Sequence, residues 1–228
     1  MPGPPPPPVF AFNAERLSAF EASLVTRQRA DPRIVADGAI DAARYAAAPV
    51  RLAWLLREPN VAAAWDTGAD RRDLRRFYRD RLFAYPRWAA TGACLVRTSH
   101  ALLVSEPPGL WEPGGARARA DVLRDVAVVN VNKRGGGATH RPAALRAAAA
   151  EWAGALGEQL AALAPHVLLL AGTAGVLPPA FWRAWAGLDA EPDLPAMVRG
   201  CRVVGVPHPA QTTLTHRAYW LRVRAGLG

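Results

Sequence analysis

Four short apolar runs, residues 50–57, 125–132, 166–173 and 202–206, lie too far apart for hairpins and leave room between them for helices. The first is mostly apolar and bounded by prolines, the pattern of a strand covered on both faces. Strands that alternate with helical segments fold as βαβ units. The expected architecture is α/β, a three-layer α/β/α domain around a central, largely parallel four-stranded sheet.

The intervening segments support this reading. Asn13 is placed to cap a helix whose Leu17, Phe20, Leu24 and Val25 fall on one stripe, and Asp31-Pro32 stops it. Asp37-Gly38 reads as a turn. Residues 70–88 form a basic helical region in which Phe77, Tyr78 and Phe83 interleave with arginines. Residues 91–104 are apolar without a decisive period. Residues 141–164 are rich in alanine and leucine at helical spacing and predict a long helix over the sheet. A turn rich in hydroxyls, including Thr213 and Thr215, is suited to cap a last helix. The prolines from Pro2 to Pro8 predict an extended tail over residues 1–11, which leaves 12–228 as one domain.

Charge narrows the partners. Lys+Arg number 28 against 19 Asp+Glu, a net charge of +9, which favours a polyanion, nucleic acid before acidic membrane. Arginine carries nearly all of it, and Lys133 is the only lysine. Cys94 and Cys201 are too few for a disulfide framework, a four-cysteine zinc site or an iron–sulfur cluster, so no metal or other cofactor is expected. No run has the make-up of a signal peptide or a membrane span, and a cytoplasmic protein is expected.

Ligands of open α/β sheets bind outside the carboxyl ends of the strands, so the residues at the four exits matter most. The first exit is Glu58-Pro59-Asn60, where proline biases Glu58 toward extended backbone. Glu58 there is either a general base or a surface ion-pair partner of Arg57. The second exit carries Asn130, an amide of the kind that commonly caps a loop and whose planar donor and acceptor pattern also suits a nucleobase edge. The third is Gly172-Thr173. The fourth is His208-Pro209, an imidazole on a proline-stiffened loop, either a site residue or a turn residue.

In this order the four exits resemble the motifs of the uracil-DNA glycosylase superfamily: an acidic residue and proline after strand one, asparagine after strand two, His-Pro after strand four. The continuation His216-Arg217-Ala218-Tyr219-Trp220 is similar as well. With two cysteines the chain would be a divergent, cluster-free member. The resemblance implies a monomeric DNA glycosylase of base excision repair, associated with a bacterial nucleoid, which hydrolyses the N-glycosidic bond of a flipped damaged base, uracil first. Its partner would be DNA carrying that base.

The implied roles are these. Glu58 orients or activates water, Asn130 reads the base edge, and His208 hydrogen-bonds O2 as the base departs with negative charge. Asn60 stands where some members carry an aromatic that excludes the thymine methyl. Phe77 is a candidate ring to stack on the base, and Leu214 a candidate wedge. Lys133, Arg134, Gly172, Thr173, His216 and Arg217 are the candidate DNA contacts, Lys133 with a second possible role as a Schiff-base amine. Two alternatives belong to other classes: a weakly catalytic nucleic-acid-binding relative, and an enzyme of free nucleosides or nucleotides.

Overall fold

The computed structural model describes residues 11–59, 73–84, 86–104, 106–135, 141–210 and 213–228. In chain order the elements are α1 (Ala14–Ala30), β1 (Gly38–Ala39), α2 (Ala42–Ala47), β2 (Leu52–Leu56), α3 (Leu74–Arg76), α4 (Pro86–Leu103), α5 (Gly115–Ala118) and β3 (Val126–Asn130). They continue with α6 (Pro142–Leu163), β4 (Val167–Ala171), α7 (Pro179–Ala186), β5 (Ala196–Val198), β6 (Cys201–Val206) and α8 (His216–Leu227).

The protein is mixed α/β, and its sheet corrects the four-strand expectation. Among the described residues six strands run in the order β1-β3-β2-β4-β6-β5. The four strands read from the sequence form the parallel centre, and β1 and β5 pair antiparallel on its two edges, so the sheet is mixed. Edge strands of two and three residues are too short to show an alternation pattern, and short edges also limit unwanted pairing.

Alternation along the central strands divides the core in two. Ala53, Leu55, Ala127, Val129, Leu168 and Leu170 pack with Leu17 and Phe20 of α1, Leu156 of α6 and Phe181 of α7. Leu52, Trp54, Val126, Val128, Leu169 and Val204 pack with Leu95 of α4 and Tyr219 and Val223 of α8 on the opposite face. All residues of β2, β3 and β4 are buried, as strands covered on both faces must be.

Local chemistry sets the helix ends. Asn13 Oδ1 accepts from Arg16 N at 2.8 Å, and Thr215 Oγ1 accepts from Ala218 N at 3.1 Å. The undecided stretch 91–104 belongs largely to α4. The basic region is not one helix: α3 passes into a π turn, Phe77–Arg81, and a 3-10 turn, Leu82–Ala84. Phe77, Tyr78 and Leu82 along these turns are buried. Among the described residues no helix is long and apolar enough to cross a membrane.

Candidate active site at the carboxyl edge of the sheet

Among the parallel strands, β3 lies on one side of β2 and β4 on the other, so the chain reverses its direction of travel across the sheet at β2. In open α/β sheets a reversal of this kind marks where ligands bind, here the carboxyl ends of β2 and β4. The register places all four exits level: Leu56 pairs with Asn130, Leu55 with Leu170, and Ala171 with Val206. From β3 to β6 the edge spans three strand spacings, about 14 Å. Beyond the ladder the exits stay tied, with Val131 N to Leu56 O at 2.8 Å, Asn132 N to Arg57 O at 2.9 Å and Gly172 N to Val206 O at 2.7 Å.

At the switch point Arg57 turns toward β4, its Nε donating to Gly172 O at 3.2 Å. Gly172 has φ +71°, and a Cβ there would meet Arg57 Nε at 2.8 Å and His208 Cβ at 3.0 Å. The left-handed backbone favours glycine here, and an added Cβ would press on the Arg57 side chain and on His208 Cβ. Glu58 sits beside Arg57, half-buried, and no described basic side chain pairs with it.

His208 is half-buried on the loop after β6. Its Nδ1 accepts from Ala210 N at 3.1 Å, which in the neutral ring assigns the proton to Nε2. An imidazole held this way is a hydrogen-bond donor at Nε2, the polarity needed beside an oxygen that gains negative charge. The loop is anchored from α8: Tyr219 OH donates to Pro207 O at 2.7 Å, and the Tyr219 ring stacks on the fully buried Trp54 of β2, with centroids 6.4 Å apart.

Asn130 closes β3 and is buried. Its backbone N and its Nδ2 both donate to Asp37 Oδ2, at 2.7 and 3.1 Å. Asp37 Oδ1 accepts from Lys133 Nζ at 2.6 Å and Gln159 Nε2 at 3.1 Å, and Lys133 Nζ also donates to Gln159 Oε1 at 2.7 Å. Gly38 makes room for this cluster, since a Cβ there would lie 3.1 Å from Gln159 Nε2. One member is unsatisfied: Asn130 Oδ1 is buried without a hydrogen-bond partner.

Several residues expected at a DNA surface are placed otherwise. Lys133 has no exposed surface and its ammonium is paired with Asp37, so neither a phosphate nor an abasic sugar reaches it in this structure. Burial holds its pKa below the ordinary lysine value, against the opposing pull of Asp37. Thr173 is buried with its hydroxyl donating to Leu55 O at 3.1 Å, a clamp between β2 and β4. Arg134 is engaged by Asp31 at 2.8 Å and Glu151 at 2.5 Å and lies over the Trp152 ring. Phe77 is packed edge-to-face against Trp88 and Tyr78, with centroids at 5.1 and 5.7 Å, instead of offering an open platform.

The start of α8 is mixed. His216 Nδ1 meets the Arg97 guanidinium, and burial followed by that charge holds the imidazole pKa below its usual value. Arg217 is exposed and Leu214 half-buried. Asn60 lies outside the described residues. Asp37, expected from the sequence only as part of an Asp-Gly turn, is the buried carboxylate that joins Asn130, Lys133 and Gln159. Among the described residues no three His, Cys, Asp or Glu side chains converge as metal ligands. No protein-family model matches the chain, and no curated protein is similar to it.

Proposed function

We propose that the protein is a DNA glycosylase that hydrolyses the N-glycosidic bond of a flipped base, uracil foremost. The observation that carries this reading is the level register of the four exits, which sets Glu58, Asn130, Gly172 and His208 along one sheet edge around the switch point. A half-buried carboxylate, an oriented amide and an imidazole donating from Nε2 supply the three functions the reaction needs. Glu58 orients or deprotonates water for attack on C1′ of the sugar. Asn130 holds the base edge. His208 donates toward O2 while the glycosidic electron pair moves onto the departing base, an interaction stronger in the transition state than in the ground state.

The +9 charge supports a DNA substrate. Exposed Arg217, in the first turn of α8, follows His208 by nine residues and suits a phosphate contact. Cleavage of uracil-containing duplex, compared with free deoxyuridine at rising salt, tests the proposal. Excision from DNA that weakens steeply with salt is the expected result; turnover of the nucleoside alone, indifferent to salt, overturns it.

A further inference from the structure

Asp37 takes no part in the reaction outlined above, yet it holds the Asn130 amide. A carboxylate only accepts hydrogen bonds, so the atom of the Asn130 amide that lies 3.1 Å from Asp37 Oδ2 must be nitrogen. Turning the amide over would replace a charge-assisted bond with two facing oxygens. The same Oδ2 also takes the Asn130 backbone N–H, so the Nδ2 hydrogen in use is the one that points back toward the main chain. Oδ1 and the other Nδ2 hydrogen are left as the outer edge of the amide.

Lys133 and Gln159 fix the carboxylate in turn, through Oδ1. Among the described residues, Asn130 Oδ1 is a buried side-chain atom without a hydrogen-bond partner at a strand exit, whereas those on Tyr45, Thr98, Trp152 and Trp182 lie on helices. A buried acceptor without a donor is costly, and a ligand N–H removes that cost once the groups packed over the β3 exit part to admit it.

We propose that Asp37 is a positioning residue that locks the Asn130 amide, so that the site takes a base edge carrying an N–H beside an acceptor. The N3–H and O4 edge of uracil has that pattern, and the same base alkylated at N3 does not. This rests on the glycosylase reading for its substrate, not for the geometry of the lock.

The test compares duplexes carrying uracil or 3-methyluracil, with wild-type protein and with Asp37→Asn combined with Lys133→Met, so that no buried ammonium is left without a partner. Wild type should excise uracil at least tenfold faster than 3-methyluracil. In the double variant an amide at position 37 can donate to Asn130 Oδ1, and discrimination should fall to within about threefold, a change that general loosening of the fold, which slows both substrates together, does not produce. Undiminished discrimination in the folded double variant overturns the proposal.

Side-chain amide NMR of the wild-type protein asks the same question whether or not the double variant folds. One Asn130 Nδ2 proton should exchange slowly in the free protein, and free uracil, but not 3-methyluracil, should shift the other. Equal exchange of the two protons, or a response to 3-methyluracil, overturns the lock. That NMR pattern in a protein that excises no base would sustain the lock while removing the glycosylase reading.

Discussion

Lys133 Nζ stands 2.6 Å from Asp37 Oδ1, and neither side chain has any exposed surface. In a chain that otherwise uses arginine, position 133 carries a compact ammonium that reaches both Asp37 and Gln159. Removing one partner of a buried pair strands the other charge. Lys133→Met should therefore cost about 3–5 kcal/mol in urea unfolding, and adding Asp37→Asn should restore a large part of it. Equal stability of the single variant and wild type would contradict the pairing.

Because the amine is enclosed, borohydride should trap no Lys133-dependent adduct on uracil-containing DNA. Mass spectrometry of the reduced mixture checks this, and an adduct on Lys133 would show that the cluster opens during the reaction.

Gly172 and Gly175 make a matched pair, with φ +71° and +74°. Alanine at either position carries the left-handed backbone cost of about 1–2 kcal/mol. Only at Gly172 does the added Cβ meet Arg57 and His208; at Gly175 nothing lies within 4 Å. Gly172→Ala should reduce excision on the order of tenfold or more beyond Gly175→Ala, through displacement of the His208 loop. Equal activities at equal stability would separate Gly172 from the site.

Tyr219→Phe deletes the hydroxyl that holds Pro207 O and keeps the ring on Trp54. Thermal unfolding should show a loss of about 1 kcal/mol. The larger effect should fall on single-turnover excision, with DNA affinity little changed, since the bond positions the loop that carries His208.

Acid should weaken the fold through two histidines. Burial, then the neighbouring Arg51 and Arg97 charges, hold the His166 and His216 pKa values below 6.5. The unfolded chain then binds more protons than the folded one between each lowered pKa and 6.5, so stability rises with pH through that window and is lost as pH falls through it. NMR titration should place both imidazoles below 6.5, and His166→Gln should flatten the dependence. The Arg51 backbone N–H donates to His166 Nδ1 at 3.0 Å, a bond that a protonated ring cannot accept.

The parallel centre of the sheet was legible because each of its strands is an apolar run ended by proline, glycine or asparagine. β1 and β5 were not, being shorter than any pattern that alternation can reveal. The site divides in the same way. Glu58, Asn130, Gly172 and His208 were readable as strand exits, since position in a βαβ chain fixes which end of the sheet they occupy. Asp37 was hidden because Asp-Gly is ordinarily a turn, and its partner Lys133 lies 96 residues away. Thr173 and Arg134 show the converse: a hydroxyl or guanidinium at an exit looks available until the fold supplies Leu55 O, Asp31 and Glu151 as partners.

The most direct measurement is cleavage of labelled oligonucleotides carrying uracil, hypoxanthine, xanthine or thymine opposite each base, by wild type and by Glu58→Ala, Asn130→Ala and His208→Ala. Wild type should excise, uracil foremost, and excision should collapse in all three variants while each remains folded. Wild-type protein that binds the DNA and excises none of these bases would contradict the glycosylase reading, and would leave the exits of the sheet as recognition elements alone.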